Sequence, residues 1–432
     1  MKRHLKSSFP KLGIFSLGVS LSIYCFLQYL FTPIVWWFAQ SIDALGWLNY
    51  VFVHFDFMGV EIFTSKSIIY SLLGLSAFTA GYLFLPKKIT KIRNGILKRT
   101  WACGKAETMF WVLFIGGFAL KLLKLLIGVD FSGSVPGYLF NQPHIAFLLS
   151  LNWLHFLGIS IINIAHLEAK SVGSASVARL RVTSHFANIF VIVVSLASGS
   201  VTSTALPIIT LLVIRQFYMP IPVVRMILIF SSLGFVILVL KYITKNIIFE
   251  NPSAFDEDRF ILFGLFYMLF FRVNMSHVVN AVIESGQSEF SGGTLGQFWV
   301  DLLPYGMDRV NAFDGNVFGR MVGLLPPTDF VTGVAVTNMG DLYINFGLSG
   351  IVVGMFLTGI LYKILSSSCC GQRGPLFVLI YSLMWPILVH GMESPITVLY
   401  ANSLKMIVLC LFVHIFVARN RRVCIQNRCT LP

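Results

Sequence analysis

Charged residues are what this sequence has least of. Asp, Glu, Lys and Arg make up 12% of its 432 residues, where soluble domains carry about 25%. Apolar residues make up 56%, and the mean hydropathy is +0.80. A soluble chain of this length divides into domains, each with a polar coat, and so few charges cannot supply those coats. The composition therefore excludes a soluble enzyme, a nucleic-acid-binding protein and a disordered scaffold, and it leaves a polytopic membrane protein. No cleavable leader is expected either. Lys2, Arg3, Lys6 and Lys11 precede an apolar run from Leu12 to Phe38. That run exceeds the roughly 7–15 residues of a signal-peptide core, and no A-x-A site follows it. It reads as an uncleaved first span. Repeats at solenoid periods are absent, as is a convincing inverted pair of broken helices.

Cysteine is missing where disulfides would form. Cys25, Cys103, Cys369, Cys370, Cys410, Cys424 and Cys429 fall in apolar runs or in segments assigned below to the inside. No disulfide framework is therefore expected. Cys369-Cys370 and Cys424-x4-Cys429 lack a second pair at zinc spacing and read as free thiols.

A membrane span needs about 20 apolar residues. Runs of that kind lie at 12–38, 67–85, 108–129, 145–167, 182–199, 202–217, 223–244, 343–363, 375–391 and 396–417. They predict an all-α protein with about ten transmembrane helices and both termini on one side. The segments on that side, 1–11, 86–107, 168–181, 215–225, 363–374 and the tail after Val417, hold 22 of the 32 basic residues. Their only acids are Glu107 and Glu168, so they carry +20 while the rest of the chain carries −6. Lys and Arg collect on the cytoplasmic side, which places both termini there. Forty Phe and eight Trp suit lipid-facing and interfacial surfaces.

Residues 260–284 do not fit this count. Arg272, Ser276, His277, Asn280 and Glu284 share one arc of a helical wheel, and Met275, Val278, Val279 and Val282 share the opposite one. This predicts an amphipathic helix at, or dipping into, the outer face. The competing reading, an eleventh span, would put the Arg-rich tail outside. The chain thus divides into a bundle over 1–244, an outer helix and large loop over 245–342, and a second bundle with a basic tail over 343–432.

Lysine is absent between Arg259 and Asp341, where the bases are Arg259, Arg272, Arg309 and Arg320. They stand among carboxylates that include Glu284, Asp301, Asp308, Asp314, Asp329 and Asp341. Arginine presents a permanent planar fork that grips phosphate with two hydrogen bonds. Such a cluster over apolar helices suits a lipid-linked phosphate or pyrophosphate, although single members could form ordinary loop ion pairs. Asp341 and Asn345 share a helix face at the membrane lip. Asp341 could take a proton from a hydroxyl or cap a helix N-terminus. Gly350 and Gly354 form a small-xxx-small pair suited to close packing. His277 could act as a base or only hydrogen-bond. Lys121 and Lys124 could snorkel or face a phosphate. Lys405 is intramembrane, with Glu393 its nearest acid in sequence. Asp256-Glu257-Asp258 reads as solvated charge, and neither metal nor cofactor is expected.

The stretch Phe318-Gly319-Arg320, Gly323-Leu324-Leu325-Pro326, Asp329, Thr332 and Thr337-Asn338-Met339-Gly340-Asp341-Leu342-Tyr343, running on to Asn345-Phe346-Gly347 and Gly350, resembles the outer-loop signature of Wzy-type oligosaccharide repeat-unit (O-antigen) polymerases. Arg272 to Glu284 and Leu303-Pro304 resemble its upstream part. The resemblance covers residues 259–363. The family more often has Glu where this chain has Asp341, and Ser where it has Gly333.

The resemblance implies a GT-C-like glycosyltransferase on the outer face of the bacterial inner membrane. Donor and acceptor would be undecaprenyl-pyrophosphate-linked oligosaccharides, and the partners a flippase and a chain-length regulator, with no nucleic acid. The expected site takes Asp341, Arg272, Arg320 and His277 for chemistry. Arg259, Arg309, Asp329, Tyr343, Asn345, Lys121 and Lys124 would bind substrate. Three alternatives stand beside this reading: an O-antigen ligase, a lipid-linked oligosaccharide flippase or other transporter, and a non-catalytic assembly protein.

Overall fold

The structure is a computed structural model. It describes residues 15–31, 34, 64–85, 100–126, 151, 154–197, 201–222, parts of 224–236, 275–286, 293–302, 315–324, 327, 336–370 and 374–418. Among the described residues there are helices and no strand. Only an isolated bridge joins Trp101 to Ala418. The helices are α1 Leu17–Cys25, continued by a π-helical turn Phe26–Phe31, α2 Ser65–Phe84, α3 Cys103–Leu126, α4 Leu154–Val172, α5 Val177–Ala197 and α6 Val201–Tyr218. Then come α7 Met275–Glu284, α8 Gln297–Leu302, α9 Gly315–Met321, α10 Asn338–Cys370, α11 Pro375–His390 and α12 Ile396–Val417.

Five stretches among the described residues are long and apolar enough to cross a membrane: Ser65–Phe84, Cys103–Leu123, Asn338–Ser367, Pro375–Glu393 and Ile396–Val417. They fall on five of the ten expected spans. Helices also occupy the remaining expected positions through 217, but they are shorter or more polar. The outward faces are apolar. Leu83, Val112, Ile115, Val182, Ile189 and Ile415 are all exposed, which a soluble monomer would not tolerate as a continuous coat. The protein is an all-α, multi-pass membrane protein.

Glycine sets the closest helix contacts. In α2 and α10, a Cβ on Gly81 would lie 2.0 Å from the Phe356 carbonyl oxygen, and one on Gly359 would lie 2.1 Å from that of Phe78. The two backbones touch, which is how membrane helices gain packing energy without a hydrophobic drive between them. The α3–α4 pair repeats the device, since a Cβ on Gly117 would lie 2.3 Å from the His155 nitrogen. Its neighbour Gly116 has nothing within 4 Å. Adjacent glycines should therefore respond with opposite sign. Gly116→Ala should be neutral or stabilising by up to about 1 kcal/mol through helix propensity. Gly117→Ala should cost about 1–3 kcal/mol by overpacking. Melting curves of the two purified variants test this, and equal melting temperatures would contradict the close α3–α4 crossing.

Polar groups join other helices. Asn163 of α4 exchanges amide hydrogen bonds with Asn188 of α5 (2.8 and 3.1 Å), and Ser184 donates to the Asn163 oxygen at 2.9 Å. The N-terminal helix is held by α11. The Leu17 amide donates to the Tyr381 hydroxyl (2.9 Å), which donates to the Phe15 carbonyl (2.7 Å), and the Trp385 indole donates to Ser20 (3.1 Å).

Two ends of the bundle are distinct. One gathers the starts of α2, α10 and α12 with α7, through Thr64–Asn280, Thr337–Glu393 and Asp341–Ile396. The other joins the start of α3 to the end of α12, where the Trp101 indole donates to His414 Nδ1 at 3.0 Å. The expected amphipathic helix is described from Met275 onward as α7. Val278 through Ile283 are buried without interruption, against α2, α10 and the π-helical turn. Asn280, on its polar arc, is satisfied there. Its oxygen accepts from Thr64 (2.5 Å), and its nitrogen donates to Glu284 (2.8 Å). Residues 260–274, and with them the question of an eleventh span, lie outside the described residues.

Candidate functional site

Helix α10 is not one rod. At Gly347 the backbone turns to φ 61° and ψ −150°, a region open to glycine and closed to other residues. The preceding segment folds back on the following one. A Cβ on Gly354 would lie 2.3 Å from Leu342, and one on Gly350 would lie 2.2 Å from the Leu342 carbonyl oxygen. In a continuous helix residues 342 and 354 stand about 18 Å apart. The expected span beginning at 343 is thus entered by a short helix over 338–346 and carried by a long one over 348–370. The glycine pair packs this short helix rather than a distant one.

The short helix is enclosed. Val336 through Asn345 are all buried, although four of them are polar or charged. Thr337 holds a left-handed φ of 59°, an outlier for a β-branched residue that persists only under firm tertiary restraint. Its amide donates to the Glu393 carbonyl (3.2 Å), and its hydroxyl accepts from the Gly340 amide (3.0 Å), capping the helix. Asn338 faces the carbonyls of Gly391 and Ser394, so its amide nitrogen is oriented to donate to both (3.2 and 2.6 Å). The Glu393 carboxylate accepts from the Tyr24 hydroxyl.

Asp341 is the junction. Its Oδ1 accepts from the Thr294 hydroxyl (2.6 Å) and the Asn345 amide (3.1 Å), and its Oδ2 accepts from the Ile396 amide (3.0 Å). Ile396 is the first residue of α12, so Asp341 does cap a helix, but the neighbouring one. Asn345 shares its face as expected and closes the ring, because its oxygen accepts from the Thr294 amide at 3.2 Å. One carboxylate therefore ties together α10, α12 and the 293–296 turn. A general base must reach the proton it removes. In this arrangement Asp341 has no exposed surface.

An apolar groove of about 690 Å³ opens beside this junction, within the size range of ligand sites. Leu295 and Phe298 cover one end. Leu342, Phe346, Val353 and Leu357 form the α10 wall, and Ile396, Thr397 and Tyr400 the α12 wall. Val353 is 58% exposed and Leu357 55%, so the groove is open along the lipid-facing side of the bundle. Trp299, next to Phe298, is also exposed, as interfacial aromatics are.

The structure brings some of the expected site residues together and separates others. Asp341 and Asn345 meet. Arg320 is half-buried in the last turn of α9, and Phe318 of that helix packs against Gly340, the residue before Asp341. Tyr343 turns away from the junction toward α2, where its ring meets Tyr70 at 5.9 Å. Lys121 is half-buried on α3, whose main partner is α4. The side chains of His277 and Lys124, and all of Arg259, Arg272, Arg309 and Asp329, lie outside the described residues. Among the described residues no cluster of His, Cys, Asp and Glu could hold a metal. Thr294 was missed by sequence reasoning. It lies 47 residues before Asp341, in a Gly-rich turn with no local signal.

Family models, curated proteins and solved structures give no match to this chain. Any functional reading therefore rests on the junction, the groove and the residues that carry the resemblance.

Proposed function

We propose that this protein is a membrane glycosyltransferase that polymerises undecaprenyl-pyrophosphate-linked oligosaccharide repeat units on the outer face of the bacterial inner membrane. The observation that carries this reading is the lipid-facing groove that begins at the Asp341 junction. A polyisoprenoid substrate reaches its site sideways from the bilayer. It needs an apolar trough for its chain and polar groups at the lip for its head. The 318–350 stretch that resembles the polymerase signature contributes Arg320 on α9, the whole short helix and much of one groove wall.

In the proposed reaction the acceptor hydroxyl oxygen bonds to the anomeric carbon of the donor chain. The carbon–oxygen bond to pyrophosphate breaks, its electron pair leaves with undecaprenyl pyrophosphate, and the hydroxyl proton passes to a base. Arg320, with Arg272, Arg259 and Arg309 of the outer loop, would stabilise the leaving charge without metal. Asp341 would act as a positioning residue. The base would come from His277 or from Glu284, which is exposed. A flippase and a chain-length regulator are the proposed partners.

Val353→Trp tests the groove. The side chain is largely exposed, so the fold should tolerate the change, while an indole would obstruct the trough. Polymer yield from purified lipid-linked repeat units should fall at least about tenfold, the scale of losing roughly 1.4 kcal/mol of binding, at unchanged melting temperature. Undiminished yield would remove the groove from the substrate path. A transporter reading draws on the broken helix, since interrupted helices line transporter sites. It predicts no polymer from the purified protein. A ligase reading predicts that a deletion strain carries no O-antigen on its lipopolysaccharide core, where a polymerase deletion keeps one repeat.

A further inference from the structure

A second cavity, of about 480 Å³, lies between α4, α5 and α6. Its charged lining is one-signed. Lys170 comes from α4, Arg181 from α5 and Arg215 from the last turn of α6, with the imidazoles of His166 and His185 beside them. No carboxylate among the described residues lines it. Glu168, between two of these bases in sequence, is turned to the Trp101 backbone, which donates to it, and lies near Tyr218. Arg179 is paired with Glu107 at 2.9 Å and is not part of the lining. Arg181 and His185 stand together, with Nε and Nε2 3.4 Å apart. The Nδ1 atom of His166 is buried with no hydrogen-bond partner.

The other half of the cavity is apolar. Ile192, Ile208, Leu211 and Leu212 line it. Ile192 belongs to the exposed face of α5, with Phe186, Ile189 and Val193, so this half adjoins the bilayer-facing surface. The charged half sits at the helix ends that the charge count assigns to the cytoplasm. Bases at the water level above an apolar opening match an amphiphile with an anionic head. A small hydrated anion would match only the charged half. Basic pockets between transmembrane helices on the cytoplasmic side bind phosphate-bearing lipid heads in this way.

We propose that this cavity is a binding site for the phosphodiester head of an anionic phospholipid, held by Lys170, Arg181 and Arg215 with its acyl chains against α5 and α6. It is separate from the groove beside Asp341 and does not depend on the polymerase reading.

The test uses the full-length protein in nanodiscs of phosphatidylcholine alone, of phosphatidylcholine with 20% phosphatidylglycerol, and of phosphatidylcholine with inorganic phosphate added. Native mass spectrometry after delipidation should retain a single phosphatidylglycerol on the wild-type chain. Phosphatidylglycerol, but not inorganic phosphate, should raise the melting temperature. Arg181→Gln combined with Arg215→Gln should weaken phosphatidylglycerol retention by roughly tenfold or more, since each juxtamembrane base contributes to anionic lipid attraction. Arg179→Gln should leave it unchanged. Equal retention of the two lipids by wild-type protein would overturn the proposal whether or not the double variant folds. So would equal retention by the folded double variant. Stabilisation by inorganic phosphate equal to that by phosphatidylglycerol would make this a soluble-anion site and overturn the lipid assignment.

Discussion

Gly81→Ala and Gly359→Ala should each leave little folded protein, although alanine is the mildest substitution a helix can receive. The reason is reciprocal backbone contact. The new Cβ would stand 2.0 Å from one carbonyl oxygen and 2.1 Å from the other. A side-chain tip can rotate away from such a clash, but a helical carbonyl cannot move without carrying its helix. Overpacking usually costs about 1–3 kcal/mol, occasionally more, and here the upper end or beyond is expected because α2 and α10 must separate along their crossing. Fluorescence-detected size exclusion should show the monodisperse peak lost or its melting temperature lowered by about 3 °C or more, roughly the shift expected for a cost above 3 kcal/mol in a chain of this length. Gly104→Ala, with nothing within 4 Å, is the control. A wild-type melting temperature for both Gly81→Ala and Gly359→Ala would mean that the crossing is looser than described.

The Asp341 series should produce the other large effect, on stability first and activity second. Asp341→Ala leaves the Ile396 amide and the Thr294 hydroxyl without their shared acceptor, while the Asn345 amide keeps the Asp341 backbone carbonyl at 2.7 Å. A buried donor left unsatisfied costs about 1–3 kcal/mol, so the sum should disrupt the junction. Asp341→Asn keeps one oxygen but points an NH₂ at a donor, and an intermediate loss is expected. Thr294→Val removes the hydroxyl while leaving the carboxylate. Its effect should be non-additive with Asp341→Ala, with a coupling of about 0.5–3 kcal/mol. A residue acting only as a base would behave otherwise. Asp341→Asn would then melt like wild type yet lose about 10²–10⁴ in polymerisation rate. Melting temperature and polymer yield measured on the same preparations separate the two roles.

Sequence reasoning reached the parts of this site that are local. Apolar run length located the helices at Ser65–Phe84, Pro375–His390 and Ile396–Val417 within a few residues of their observed ends. The i, i+4 spacing of Asp341 and Asn345 placed them on one face. The parts that depend on tertiary position were not legible. Nothing in the run from Tyr343 to Tyr362 marks Gly347, rather than the other glycines, as the break. Thr294 and Ile396 reach Asp341 from 47 and 55 residues away, and an amide donor carries no sequence signature at all. The wheel of α7 was correct in its pattern but silent on what would cover the polar arc. Asn280, on that arc, is buried because Thr64 supplies it a partner, while Glu284 at the end of the arc is exposed.

The hold of α11 on the first helix has a consequence in time. The Leu17 amide and the Tyr381 hydroxyl are 364 residues apart. At about 5–20 residues per second, on the order of 20–70 s separates the synthesis of the first helix from that of the group that fixes it. Ser20 waits equally long for Trp385, and Tyr24 for Glu393. This early helix is therefore seated only after α11 has been made. Until then its polar groups must be shielded by lipid headgroups, by an insertase or by the chain's own middle helices. Ribosome-stalled chains ending before Tyr381 should hold that helix loosely, and a pair of cysteines at Leu17 and Tyr381 should cross-link only once translation has passed that point.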